Sequence, residues 1–346
     1  MKKIISTLLI ILLIALPLSS CKKQLNRYQA EFLELFDTAT IILGYSYEED
    51  EFMKKAELLK EELTKYHKLY DIYNEYEGLV NLKIINDLAG TGPVKVDKEI
   101  IDLLVFSKQI YEITEGKVNI AMGSVLSIWH DYRTKGIRDP EHAELPPMNI
   151  LLSANEHTDI NNLIIDEENM AVELKDPYMS LDVGAIAKGF AVERLAEYAK
   201  TIGFNDGLIS VGGNLRALGL KGEKQELWNL GIQNPDLESA KTDLFILKGT
   251  DISLVTSGDY QRYYTVDGKQ YHHIIDPETL MPSTKFKSVT IITKDSGFAD
   301  GLSTGVYLMD YEQGKALIES IKDTEALWVF YDGSVKYTSG FEAMIK

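Results

Sequence analysis

Leu181–Phe190, LDVGAIAKGF, sets an acid beside small residues and a Lys-Gly pair, on what the pattern predicts as a helix over Asp182–Lys200. A phosphate at that N-terminus would meet unsatisfied backbone N–H groups and the charge of Lys188. Equally, Asp182 can cap the helix and leave Lys188 in solvent. Asp300 and Thr304 stand four apart in Ala299–Gly305, ADGLSTG, so a helix puts both oxygens on one face. A carboxylate, a hydroxyl and a nearby carbonyl are hard ligands suited to Mg²⁺ beside a phosphate; the plainer alternative is that Asp300 caps its own helix. His272 and His273 are adjacent, and neighbours on a strand face opposite sides, so at most one meets a given site. Gly212-Gly213-Asn214 lacks the spacing of a dinucleotide-binding turn, and no GxxxxGK[ST] occurs. That glycine pair either admits a close backbone approach or makes a bare tight turn. Together these residues point to a phosphorylated ligand handled with a metal.

The elements that must hold them read as an α+β fold. Phe52, Ala56, Leu59, Leu63, Tyr66 and Tyr70 recur four and three apart, predicting an amphipathic helix over Glu48–Tyr70, with His67 a surface or boundary residue beside the stripe. Phe32–Leu43 enters the first strand. Tyr73–Asn86 reads as a loop running into a short helix, with Asn86 a cap. Asp97 can cap a helix that runs to about Ile113. Gly116–Trp129 is apolar, and Met122 and Trp129 suit the core better than a ligand. Asp131–Pro147, rich in charge and proline, reads as a linker; His130, His142 and His157 lack partners at motif spacing. Short alternating runs fill the C-terminal third, with hairpin turns at Asp267-Gly268 and Asp332-Gly333. Helices are expected from about Asp300 to Met309 and from Tyr311 to Ile321.

Charge and cysteine use narrow the function classes. The formal net charge of −17 sets like charge against a nucleic-acid backbone and argues against that partner. A small anion is not excluded, because a helix terminus, a lysine or a divalent cation can reverse the field inside one pocket. Lys2 and Lys3 precede an apolar run from Ile4 to Leu18, then Ser19, Ser20 and Cys21, the pattern of an export signal. The run is short of the roughly 20 residues that span a bilayer. Leu18-Ser19-Ser20-Cys21 resembles a bacterial lipobox, with Cys21 lipidated; an ordinary signal peptide or uncleaved anchor is the alternative. Cys21 is the only cysteine, so an internal disulfide and a cysteine–zinc site are excluded. The expected organisation is a leader over 1–20, a tether over 21–30 and one domain over 31–346. The chain would then sit lipid-anchored on the extracytoplasmic side of the cell membrane.

In chain order, LDVGAIAKG (181–189), GGN (212–214), TSGDYQRYY (256–264), DGKQYHHIIDP (267–277) and ADGLSTG (299–305) resemble the ApbE-like flavin transferases. That family attaches FMN, taken from FAD, to protein threonines. YNEYEGLVNLKIIN also resembles the family's N-terminal region. The resemblance implies a T-fold-like architecture of mixed and antiparallel sheets with flanking helices. It implies that Lys188 and Asp182 hold the flavin nucleotide, with Ser257, Gly258 and Asp259 lining the site and Phe36, Thr38 and Met122 as further contacts. Asp300 and Thr304, with a carbonyl of Gly184 or Ala185, would hold Mg²⁺ against the pyrophosphate of FAD, and His273 would stand at the reaction centre. The acceptor would be a flavoprotein bearing a threonine, either His273 or Asp300 would assist removal of its proton, and AMP would leave. With water in place of threonine the site would be an FAD pyrophosphatase; a flavin-binding lipoprotein is the non-catalytic alternative. Many relatives have an aspartate within the segment matched by VNIAMG, where this chain has Asn119.

Overall fold

The computed structural model describes residues 24–345, so the leader over 1–20 and the lipidation expected at Cys21 lie outside the described residues. Strand β1 (Asn26–Phe32) pairs antiparallel with β2 (Thr40–Ser46). Residues 26–30 of the expected tether are thus part of β1. Tyr28, Ala30 and Phe32 turn toward the core at every second position, an alternation hidden by the polar residues between them. The first strand expected over Phe32–Leu43 is instead these two strands, joined through a short 3-10 turn at Leu35–Asp37.

Helix α1 (Glu49–Tyr70) buries all six residues of its apolar stripe. In α2 (Leu82–Asp87) the cap is Asn81, which accepts from the N–H of Ile84, and not Asn86. Strand β3 (Val94–Lys95) and helix α3 (Lys98–Ile113) follow, with Asp97 at the N-cap position but making no side-chain cap bond. Helix α4 (Gly123–Arg138) takes over half of the expected linker, because Val125, Trp129 and Gly136 continue a buried face past Asp131. A short helix, α5 (Met148–Asn155), then leads to the hairpin of β4 (Leu163–Asp166) and β5 (Ala171–Leu174). Helix α6 (Ala187–Thr201) starts five residues after Asp182, so that acid does not cap it. Strands β6 (Gly207–Val211) and β7 (Asn214–Leu218) turn at Gly212-Gly213.

The C-terminal part carries β8 (Trp228–Gln233), β9 (Asp243–Gly249), β10 (Ser253–Gly258), β11 (Tyr263–Val266), β12 (Lys269–His272) and β13 (Ser288–Thr293). Helix α7 (Ser296–Leu308) begins earlier than expected, because Asp295 accepts from the N–H of Phe298 and is its cap. Asp300 thus lies inside the helix, freed from capping. Helix α8 (Tyr311–Ser320), β14 (Glu325–Val329) and β15 (Val335–Tyr337) close the order.

Eight strands form one antiparallel sheet in the order β1-β2-β6-β7-β10-β13-β14-β15. Alternate residues of its strands feed two cores. Ile42, Ile209 and Val211 pack under α1 and α6, and Val255, Ile291 and Trp328 under α7. Their neighbours Leu43, Leu254 and Ile292 pack on the other face against Trp228, Leu230 and Leu247 of the β8–β9 hairpin. A separate cluster, built by α4, α5 and the β11–β12 hairpin around Trp129 and Tyr264, stands at one end. This is the α+β architecture expected, with helices flanking antiparallel sheets. Among the described residues no helix is long and apolar enough to cross a membrane.

Candidate active site

A cavity of about 410 Å³ opens where the ends of β10 and β12, the start of α6, the middle of α7 and the start of α4 converge. Two side-chain bonds from Asn86 and two backbone bonds tie the segments beside it. Asn86 grips the peptide of Leu181 from both sides, donating to its carbonyl at 3.0 Å and accepting from its N–H at 2.7 Å. The N–H of Asp182 donates to Ile120 O at 2.8 Å, and that of Gly123 to Ser180 O at 2.9 Å. A Cβ on Gly123 would stand 2.4 Å from that carbonyl, so only glycine admits this contact. The VNIAMG and LDVG segments are thereby laid side by side.

Beyond them, Asp182 Oδ1 accepts from Gly184 N–H at 2.8 Å, closing the turn that precedes α6. Lys188, in the first turn of α6, donates to Gly184 O at 3.2 Å. Helices α6 and α7 then meet at Gly189, whose N–H donates to Asp300 Oδ2 at 2.7 Å. The buried pair Glu193–Arg216 fixes this meeting: Glu193 Oε2 accepts from Arg216 Nε at 3.1 Å and from Ser296 N–H at 2.8 Å. Burial pushes the carboxyl of Asp300 up from its ordinary pKa, opposed by the charge of Lys188 and by the Gly189 bond. Asp182 is pushed up for the same first reason and held back by Gly184, His130, Arg133 and Lys188. Both carboxylates line the cavity.

Thr304 lies one turn beyond Asp300 and is joined to the end of β10: Ser257 Oγ lies 3.2 Å from Thr304 Oγ1 and 2.8 Å from Ser303 Oγ. Asp300, Thr304, Gly184, Ala185, Lys188, Asp182, Ser257, Gly258, His273, Met122 and Thr38 all line the cavity. Among the described residues no group of three or more His, Cys, Asp or Glu side chains is arranged to hold a metal ion.

His273 sits on the cavity wall with Nδ1 3.2 Å from Arg262 O, and a carbonyl can only accept, so Nδ1 carries the proton. Nε2 is then an unprotonated acceptor. Burial first, and the nearby Arg262, His272 and Arg133 next, push its pKa down to about 3.

Two expected contacts are elsewhere. Phe36 does not line the cavity: its ring packs on His67 at 5.5 Å and its N–H donates to His67 Nδ1 at 3.2 Å. His67, expected only as a boundary residue, thus anchors the loop that presents Asp37 and Thr38. Asp259 is buried and also absent from the lining. One residue beyond the end of β10, it hydrogen-bonds Tyr331, and burial pushes its pKa up.

Several lining residues carried no local signal. Tyr73, held by Asp71 through a 2.7 Å bond to its N–H, has its ring 5.3 Å from that of His130, tilted by 33°. Arg133 donates to His130 Nδ1 at 3.1 Å, and both reach the cavity from α4. The spacing of Trp129 and Arg133, four apart, would have found this face had the helix been read through Asp131. Asn119 accepts from Ala121 N–H at 2.9 Å and donates to Thr158 O at 2.9 Å, a donation no aspartate could make. Gly212, at φ +55°, makes the β6–β7 hairpin turn and lines the cavity against Thr38.

The ApbE family model matches residues 37–328. The chain is 33% identical over 272 residues to the FAD:protein FMN transferase of Treponema pallidum, covering 75% of this chain and 73% of that one. It is 29% identical over 305 residues to one from Klebsiella pneumoniae, covering 88% and 90%. The crystal structure of the ApbE protein from Thermotoga maritima superposes with a TM-score of 0.82 at 27% identity, over 93% of this chain and 100% of that one. The flavin transferase ApbE from Vibrio cholerae, at 22% identity and a TM-score of 0.77, shares the fold. From its motifs, its sheet and these likenesses, the chain belongs to the ApbE family of flavin transferases.

Proposed function

We propose that the chain is an FAD:protein FMN transferase that joins FMN, through a phosphoester bond, to a threonine of an acceptor flavoprotein and releases AMP. The observation that carries the reading is the arrangement of one cavity. Lys188 and the buried Asp300, with Thr304, line it together with His273, whose Nε2 is left free.

FAD is the substrate, and its pyrophosphate would lie against the first turn of α6, where Lys188 and the backbone N–H groups meet negative charge. Tyr73, Met122 and Thr38 bound the remaining space for the flavin and the nucleotide. The acceptor hydroxyl attacks the phosphorus on the riboflavin side, and the bond from that phosphorus to the oxygen of AMP breaks. His273 Nε2 takes the hydroxyl proton. Asp300 suits the part of base less well, since one oxygen is already committed to Gly189.

The residues present fit Mg²⁺ as a hard cation held by few protein groups. Asp300, Thr304 and the carbonyl of Gly184 or Ala185 would share it with phosphate oxygens, and the sheltered carboxylate is the charge it would neutralise. When bound, it supplies charge neutralisation to the transferring phosphoryl group. The lipobox-like leader supports lipid anchoring through Cys21 on the extracytoplasmic side, where an exported acceptor would be met.

Purified chain, FAD, Mg²⁺ and a threonine-bearing acceptor domain, followed by release of AMP and by acceptor mass, test the reading. AMP with free FMN and no adduct would assign the chain to FAD hydrolysis instead. FAD bound and unchanged would make it a carrier.

A further inference from the structure

Beside His273 stands a second histidine that never reaches the cavity. His272, 5% exposed, ends β12 with both ring nitrogens committed to backbone. Its Nε2 lies 2.6 Å from Ser283 O and must donate; its Nδ1 accepts from Ile274 N–H at 3.2 Å. It is therefore a neutral ring protonated on Nε2, the opposite tautomer to His273. A second bond, Ser283 N–H to Ile274 O at 3.1 Å, closes the same segment. The ring stands edge-on to Tyr307 at 5.9 Å and 87°, and Tyr307 belongs to α7, the helix that carries Asp300 and Thr304.

A position that only filled space would take any flat apolar ring. This one requires a donor at one end and an acceptor at the other, two residues from Ile274 and eleven from Ser283. A neutral imidazole supplies both at the two edges of one rigid ring. The two bonds leave the chain one course through residues 272–274, and on that course the peptide N–H of His273 meets Arg262 O at 3.1 Å and its Nδ1 meets the same oxygen.

We propose that His272 is a positioning residue: clamped from behind the cavity, it fixes the tautomer and direction of the His273 ring and ties it to α7. The kinetic part of the inference rests on His273 acting in flavin transfer; the spectroscopic part does not.

The test uses the full chain with ¹⁵N-labelled histidine and the variants His272→Leu, His272→Asn and His272→Gln. Asparagine keeps the acceptor toward Ile274, and glutamine keeps the donor toward Ser283. Ring ¹⁵N signals report the tautomer of His273 without any turnover; FAD affinity and kcat are measured alongside. Expected are a mixture of His273 tautomers in His272→Leu and a kcat lower by about 10- to 100-fold. FAD affinity should stay within about twofold while the Asn or Gln variant recovers part of the loss. Should His272→Leu fail to fold, the Asn and Gln variants carry the same comparison. Folded variants whose His273 signals match the parent overturn the proposal, whether or not the parent transfers flavin. A parent that transfers nothing while the variants alter the His273 signals overturns the functional reading and leaves the clamp standing.

Discussion

The carboxylate of Asp300 and the peptide N–H of Gly189 meet at 2.7 Å across 111 residues of sequence, and the meeting brings α7 onto α6. It is close because Gly189 has no side chain: a Cβ there would stand 2.3 Å from Ser296 O and 2.4 Å from Asp300 Cβ. Gly189→Ala must push the helices apart, costing about 1–3 kcal/mol of stability as in other overpacked cores. Thermal unfolding of the variant should show that loss, and flavin turnover should fall with it as Asp300 leaves Lys188.

Asp300→Asn should separate stability from function. The amide oxygen can still accept from Gly189, while the buried charge disappears. Because burial raises the folded carboxyl above its unfolded pKa, the folded chain holds that proton to higher pH than the unfolded chain does. Stability from this group therefore falls as pH rises above the ordinary carboxylate value, and the asparagine removes that penalty. The variant should unfold at the same or a higher temperature at neutral pH, yet lose about 100-fold or more of its turnover, the scale for one preorganised charge-stabilising group. Unfolding curves and AMP release on the same preparation check both halves.

His273 gives a pH signature. With its folded pKa near 3, it stays neutral across the ordinary working range, so kcat/KM should show no acid limb near the usual histidine value of 6.5. For stability the sign is reversed from Asp300: between about 6.5 and 3 the unfolded chain binds this proton and the folded chain does not. Stability should therefore drop as pH falls through that window, and His273→Ala should flatten part of the slope. Replacing the base should also lower kcat by about 10²–10⁴-fold. Urea titrations at stepped pH and a pH–rate profile measure these.

Asn119 holds two segments together by using both ends of its amide. Asn119→Asp leaves Thr158 O without its donor and faces it with an acid, which should cost about 1–3 kcal/mol. Matched denaturation curves of the two proteins, at a pH where the new acid is ionised, would show it.

What the sequence made legible was the chemistry carried on short segments. Lys188, Asp300, Thr304 and His273 line one cavity, and each sits in a short local segment that the resemblance already singled out. Of the two adjacent histidines, one faces the cavity and one the core, as alternation requires. Asp259, expected from the resemblance to line the site, is not among the cavity residues, since the chain leaves β10 at Gly258 and its side chain bonds Tyr331. Phe36 stands off the cavity, packed on His67, where Phe36 and Asp37 adopt left-handed backbone, at φ +53° and +52°, which no residue type announced.

Long-range pairings were not legible at all. Asn86 reads as a cap, but its partner is Leu181, 95 positions away. Arg133 was lost with the linker assigned over Asp131–Pro147, where charge and proline outweighed a helical face marked by Val125, Trp129 and Gly136, and His130 was passed over because no partner stood at motif spacing. The polar surface of β1 hid a strand in the same way.

The central claim is that this cavity moves FMN from FAD to a protein threonine. Its most direct measurement is the intact mass of a threonine-bearing acceptor domain after incubation with the chain, FAD and Mg²⁺. The account predicts an added mass of one FMN less one water, with an equal amount of AMP released. The adduct should be lost when the acceptor threonine is replaced by alanine, when Mg²⁺ is chelated, or in Asp300→Asn. An acceptor of unchanged mass beside intact, bound FAD would contradict it.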